Sequence, residues 1–264
     1  MKVSYVSDIH GDFHSPFHKS QEKWEKHTKE FINKLIETDE GDKEVLIIAG
    51  DISHFNRQTI WILESFAEHY NKIFMIYGNH CMYLVSKNQE SKYKNNSMNR
   101  IIELKNMIES SPSLTNVFFF TGQEAPQIYK GVRFYGNPLW YPLETIHQKM
   151  FFSNISNDSN LIKGVNIQEL HEQNINHYNY WIEQTGWDVV FSHFPVINID
   201  SHEKYNSTAC YLTRVKDMTG QAHIFGHSHE QKVYEKPYGT FYMNAIGYPE
   251  EQLEMKIRHF EVNK

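Results

Sequence analysis

Short apolar runs alternate with longer amphipathic stretches along this chain. Lys2 to Ser7 reads as a strand, and the polar turn Asp8-Ile9-His10-Gly11-Asp12 follows it. From Ser20 to Thr38 the residues Trp24, Phe31, Ile32, Leu35 and Ile36 recur at helical spacing among charges, which predicts an amphipathic helix. Val45-Leu46-Ile47-Ile48, within Glu44 to Ala49, is a continuous apolar run of the kind found in parallel strands buried on both faces. Gly50-Asp51 ends it, Thr59 to Tyr70 supplies the next helix, and a third strand, Ile73 to Tyr77, runs into Gly78-Asn79-His80. Strand, polar turn, helix and strand in succession predict βαβ units in a parallel sheet. Ligands of such sheets gather beyond the carboxyl ends of the strands, so Asp8, His10, Asp51, Asn79 and His80 are expected to converge.

Ser86 to Ser97 is polar and reads as an exposed loop, and Met98 to Ser110 as a helix with Ile101, Leu104, Met107 and Ile108 inward. Val117 to Phe120 and Val132 to Gly136 are strands. The segment 142–166 lacks periodicity, and its second half, Ser153 to Asn160, is the candidate for a mobile flap. Helical spacing resumes from Ile167 to Gln184 through Leu170, Ile175, Tyr178, Trp181 and Ile182. Two further apolar strands end in histidines: Asp188 to Ser192 in His193, and Ala222 to Phe225 in Gly226-His227-Ser228-His229. Thr240 to Ile246 and Leu253 to Val262 are expected as strands completing a second sheet. With no break in composition and no internal repeat, a single domain over residues 1–264 is expected.

Composition narrows the function classes. A formal charge of −6 gives no basic footprint of a dedicated nucleic-acid binder and favours a small or locally bound substrate. No window approaches the roughly 18 apolar residues of a membrane span, and the N-terminus lacks the apolar core of a signal peptide. Cys81 and Cys210 lie far apart without disulfide-framework spacing and read as free thiols of a reducing compartment, so the cytoplasm is the expected location.

The five apolar strands thus end in Asp8-x-His10, Gly50-Asp51, Gly78-Asn79-His80, Ser192-His193 and Gly226-His227-x-His229. Singly these residues have ordinary roles, Asp8 as a turn former, Asp51 and Asn79 as helix caps, His193 as a core histidine. In this order they resemble the metallophosphoesterase, or calcineurin-like phosphoesterase, family, from Met1 to about Pro249 and including Gly247-Tyr248-Pro249. The resemblance implies an α/β fold, a four-layer α/β/β/α sandwich with two mixed central sheets. It implies two divalent transition-metal ions, one held by Asp8, His10, Asp51 and His229, the other by Asn79, His193 and His227, with Asp51 bridging. Mixed imidazole and carboxylate ligands suit manganese first, with iron, zinc or nickel as alternatives, rather than calcium. Cations about 3.5–4 Å apart neutralise both an anionic phosphoryl group and its nucleophile. The implied reaction is in-line attack of metal-bound hydroxide on phosphorus, without a phosphoenzyme, with His80 assisting the leaving-group oxygen rather than binding metal.

Two positions depart from the family pattern. Cys81 stands where most members carry Asp or Glu, and His54 stands where its protein phosphatases carry an Asp that orients the catalytic histidine. The second departure, with the missing arginine signature that Arg57 lies too far along to match, argues against a serine/threonine protein phosphatase. The expected activity is therefore a phosphodiesterase or phosphomonoesterase on a small soluble phosphorylated substrate, with a nuclease or nucleotide hydrolase as the alternative. A metal-binding scaffold without activity is disfavoured, because all seven ligand positions and His80 are present. His14 and His18 read as surface or pocket-rim histidines, Cys81 as an apolar filler, and Trp140, Tyr141, Tyr211 and Arg214 as packing residues.

Overall fold

A computed structural model of the chain describes residues 1–199, 212, 213, 215 and 221–262. The early apolar runs become β1 (Lys2–Val6), β2 (Val45–Ala49), β3 (Lys72–Ile76) and β4 (Val117–Phe120), hydrogen-bonded in parallel in that order. Their alternate residues feed two cores, as a strand buried on both faces requires. Val6, Leu46, Ile48, Ile73 and Met75 pack outward against helices α2 (Gln21–Glu37), α3 (Asn56–Ala67) and α5 (Ser97–Ser110). Val3, Tyr5, Val45, Ile47, Phe74, Ile76 and Phe120 point the other way and meet Val132, Phe134, Val189, Phe191 and Ile224 of a second sheet.

That second sheet runs in the order β5 (Gln127–Tyr129), β6 (Val132–Gly136), β7 (Val189–Phe191), β8 (Gln221–Phe225), β10 (Gly239–Asn244) and β9 (Gln231–Lys236), with antiparallel pairs at both edges. Its far face packs Tyr135, Val190, Phe225 and Met243 against Tyr178 of α8 (Ile167–Gln184). Helix, sheet, sheet and helix form the four layers that the family resemblance implies. A parallel bridge between Ser7 and Ala245 joins the sheets where β1 and β10 end. Among the described residues no helix is long and apolar enough to cross a membrane.

Several expected elements are different. Leu253 to Val262 was expected in the second sheet, but only β11 (Arg258–Glu261) is a strand, antiparallel to β1 at the edge of the first. The expected loop from Ser86 contains α4 (Lys87–Lys92), whose N-terminus is capped by the Ser86 hydroxyl. Segment 142–166 contains α6 (Ile146–Asn154) and α7 (Asp158–Leu161); α6 has no buried residue, so no apolar period marks it. Tyr211 and Arg214 lie outside the described residues, while Trp140 and Tyr141 are core residues.

His223 on β8 sets an acid limit on this core. Ser192 donates its hydroxyl hydrogen to the Phe194 carbonyl, so His223 Nε2, 3.0 Å away, must donate to Ser192 Oγ. Nδ1 is then a buried acceptor without a partner among the described residues, and burial lowers the imidazole pKa to about 3. An unfolded histidine titrates near pH 6.5, so stability is complete above that value and falls by about 1.4 kcal/mol per pH unit as the pH drops toward about 3. Urea midpoints measured between pH 7 and 4 should therefore fall less steeply for His223→Leu than for the parent; equal slopes would assign the acid sensitivity elsewhere.

Candidate metal centre

Five parallel strands end at one edge shared by the two sheets, and each leaves its polar residues there. Asp8 follows β1, Asp51 follows β2, Asn79 and His80 follow β3, His193 follows β7 and His227 follows β8. The turns are tight enough to be strained. Asp8, His10, Asp51, His227 and His229 all have left-handed φ, between 45° and 71°. That conformation costs roughly 1–2 kcal/mol in an L-residue, and such strain concentrates at functional sites. The turns also leave no room for side chains at their glycines. A Cβ on Gly78 would run into the Asp51 carboxylate and lie 2.5 Å from the His193 ring; one on Gly50, at φ 94°, would meet that ring from the other side.

The resulting contacts bring all eight expected residues together. His10 Nε2 and His229 Nε2 lie 3.0 Å apart, with His229 Nε2 3.8 Å from Asp8 Oδ1. His193 Nε2 is 3.2 Å from Asp51 Oδ2 and 2.9 Å from Asn79 Oδ1, which is in turn 3.2 Å from His227 Nδ1. Donor atoms of Asp8, His10 and His229 cluster within 4.8 Å of one another, as do those of Asp8, Asp51 and His193. Backbone amides support the carboxylates, His80 N donating to Asp51 Oδ1 and His227 N to both oxygens of Asp8. His80 closes the group, its ring centroid 4.7 Å from that of His10.

The donor set fits cations because, with the imidazoles neutral, lone pairs face lone pairs. The Ala49 carbonyl 2.9 Å from His193 Nδ1 takes the proton there, and Asp158 Oδ1 accepts from Asn79 Nδ2, so a neutral His193 turns an Nε2 lone pair toward Asn79 Oδ1, a place for either a proton or a cation. Similarly, Glu251 Oε2 is 2.6 Å from His229 Nδ1 and leaves Nε2 toward Asp8 and His10. Imidazoles held in this way by a carboxylate or carbonyl behind them are typical of metal sites. Protons compete with cations for these atoms. Burial opposes the protonated forms of His193 and His229, but Asp51 raises His193 to about 9, and the bond to Glu251 raises His229. Burial, with neighbouring imidazoles, holds His10 and His227 well below the usual histidine range. Burial pushes both carboxyls up; Asp8 remains raised, whereas His193 and His80 bring Asp51 well below its usual range.

Residues without an assigned role in the sequence complete the surroundings. Arg100, buried in α5, donates to the carbonyls of Ser53 at 2.8 Å, His80 at 3.1 Å and Tyr83 at 2.8 Å, tying the turn after β2 to that after β3. Asp158 accepts from Tyr83 and Tyr141 as well as Asn79. Tyr248 lies over the His10 ring, its hydroxyl 3.3 Å from His80 Nε2. His54 Nε2 is 2.9 Å from His80 Nδ1, and its Nδ1 is 2.7 Å from Asp12 Oδ2. Tyr248 carried a signal in its Gly-Tyr-Pro segment and His54 one as a departure from the family pattern; Arg100, Asp158 and Asp12 act across the fold, with nothing local to mark them. Cys81 is buried with its thiol pushed up to about 11, and His14 packs on Phe31 at the rim.

A family model described as calcineurin-like phosphoesterase matches residues 1–231. No curated protein matches the chain. The crystal structure of phosphopantetheinyl hydrolase from Mycobacterium tuberculosis aligns over 99% of this chain and 96% of its own, with 13% identity and a TM-score of 0.65, a likeness of fold. A protein of unknown function from Aquifex aeolicus aligns over 81% of this chain and 88% of its own at 12% identity, with a TM-score of only 0.30.

Proposed function

The chain belongs to the calcineurin-like phosphoesterase family, and on that premise we propose that it is a dimetal-dependent hydrolase of phosphoric esters acting on a small soluble phosphodiester or phosphomonoester. The observation that carries this reading is the left-handed, tightly packed Asp and His cluster at the shared sheet edge, where carboxylate oxygens and imidazole nitrogens converge within 4.8 Å of one another. Asp8, His10 and His229 are the proposed donors on one side, Asn79, His193 and His227 on the other, with Asp51 between. Two divalent cations among these donors, manganese first by ligand type, would neutralise phosphoryl oxygens and lower the pKa of water for in-line attack on phosphorus.

The chain's own residues supply the rest. His80 is poised with Nε2 toward the Tyr248 hydroxyl, and from there it hydrogen-bonds the leaving-group oxygen and, in its protonated form, gives that oxygen a proton. Burial lowers its pKa to about 4 against the pull of Asp51. Beyond His54 the turn continues through Phe55 and Asn56 into a cavity of about 470 Å³ walled by Phe17, Trp24 and Phe55 and edged by Lys19, Arg57 and Lys92. Glu103 shares the lining and pairs with Lys92 at 2.7 Å, which leaves Lys19 and Arg57 beside the aromatic wall to suit the anionic, ring-bearing remainder of a small substrate. The same pocket favours nucleotide hydrolysis as the second reading. Arg57→Ala should raise KM for a nucleotide-sized phosphodiester about fivefold and leave kcat within about twofold, the pattern of lost uniform binding. An unchanged KM would remove this cavity from the substrate path.

The direct test is elemental analysis of the purified protein, followed by hydrolysis of bis-p-nitrophenyl phosphate and p-nitrophenyl phosphate with added Mn²⁺ or Ni²⁺. Two bound equivalents and turnover of either ester are expected. A metal-free protein that hydrolyses neither ester after loading would sink the proposal.

A further inference from the structure

We propose that His54, held by Asp12, is a positioning residue that fixes the ring of His80 with Nε2 toward the leaving group. The inference rests on the hydrolase reading above. His54 is 8% exposed, and each of its polar atoms is engaged. Its backbone N donates to Asp12 Oδ1 at 3.1 Å, and its carbonyl accepts from Gln89 Nε2 at 2.9 Å. Nδ1 meets Asp12 Oδ2 at 2.7 Å, and Nε2 meets His80 Nδ1 at 2.9 Å. Asp12 thus grips the residue through both backbone and ring, which leaves Nε2 in a fixed direction.

The direction of the His80 ring does not depend on how many protons the pair carries, although Nε2 holds the N–H that faces the leaving group when His54 Nε2 is the donor to His80 Nδ1. Whether His54 Nε2 donates to His80 Nδ1 or accepts from it, that nitrogen is occupied, and the two rings stand within 18° of parallel. Tyr83 confines the same ring with its centroid 4.4 Å away. The edge of His80 left over is Nε2, on the side of Tyr248 and His10. Without its partner at Nδ1 the ring can turn about its χ2 bond, and the fraction of time Nε2 spends facing the leaving oxygen falls. Proton donation matters most when the leaving group is basic, so loss of this alignment is felt unevenly across substrates.

The experiment compares bis-p-nitrophenyl phosphate with diphenyl phosphate, whose leaving group is more basic, in wild type, His54→Ala and His54→Gln, each loaded with Mn²⁺. His54→Ala should lower kcat for diphenyl phosphate about tenfold and for the nitrophenyl ester less than about twofold, with bound metal unchanged. His54→Gln, whose amide falls near the Nε2 position, should recover most of the loss and serves as the test should the alanine chain not fold. In ion-free protein, ¹⁵N correlations should report a hydrogen-bonded His80 Nδ1 that is altered in His54→Ala. Equal losses on the two esters, or an unaltered His80 signal, would overturn this inference alone. No turnover of either ester by wild type would overturn the hydrolase reading instead.

Discussion

Asp51→Asn should yield a folded chain that no longer holds two divalent ions and that hydrolyses phosphodiesters at least about a thousandfold more slowly than wild type. Several kcal/mol of charge stabilisation depend on the site, and about 4 kcal/mol already corresponds to that factor. The substitution is close to isosteric, and asparagine tolerates the left-handed φ of 51° that this turn demands. Its Oδ1 can still accept the His80 amide hydrogen, now 2.9 Å from Asp51 Oδ1. What disappears is the negative charge facing His193 Nε2 at 3.2 Å, and with it the group placed between the two donor sets. Differential scanning calorimetry separates loss of the site from loss of the fold. Wild type should gain about 2.7 kcal/mol of stability at a hundredfold excess of metal over Kd, whereas Asp51→Asn should show little gain and an ion-free Tm within a few degrees of wild type. A variant that retained two equivalents and turned over within tenfold of wild type would exclude Asp51 from the centre.

The strand ends that form this centre were legible because a buried parallel strand is apolar on both faces, so a polar residue at its carboxyl end stands out in sequence. Val45 to Ala49, all buried, followed at once by Gly50-Asp51, is the clearest case. Amphiphilic and exposed elements were less legible. β9 keeps only Tyr234 buried and β5 has three half-exposed or exposed residues, so neither has an apolar run to find. α4 and α6 have no buried residue, and their signal lay in their caps, Ser86 with Gln89 and the box of Thr145 with Gln148. The residues behind the candidate ligands were hidden for a different reason. Glu251 is 22 positions from His229, Asp12 is 42 from His54, and Asp158 is 79 from Asn79. No local pattern encodes such pairs, and an isolated aspartate in a polar stretch reads as surface. His54 illustrates the limit from the other side: a carboxylate was missing at its position, but the structure supplies one from Asp12 through the imidazole itself.

Asp158→Ala should weaken binding of the metal equivalent on the Asn79 side by ten- to a hundredfold, the range found when a partner behind a metal ligand is removed. The carboxylate is 1% exposed and takes three hydrogen bonds, from Asn79 Nδ2 at 2.9 Å and from the hydroxyls of Tyr83 and Tyr141 at 2.5 Å each. Pinning the amide nitrogen is what turns Asn79 Oδ1 toward His193 and His227. Once released, the amide can rotate half a turn and present N–H groups where a cation needs an acceptor. Two tyrosine hydroxyls lose their acceptor as well, so a stability loss of about 1–3 kcal/mol accompanies the change. Stability loss alone would act regardless of residue 79, which a double-mutant cycle can read. Titration of Mn²⁺ by calorimetry into wild type, Asp158→Ala, Asn79→Ala and the double variant should show that Asp158→Ala costs affinity only when Asn79 is present. The two losses adding in full would mean that Asp158 reaches the metal by another route. If they do not add, a residue of the stretch expected to be a flap sets the direction of a ligand in the turn after β3, and the occupancy of one metal position then depends on that stretch staying docked.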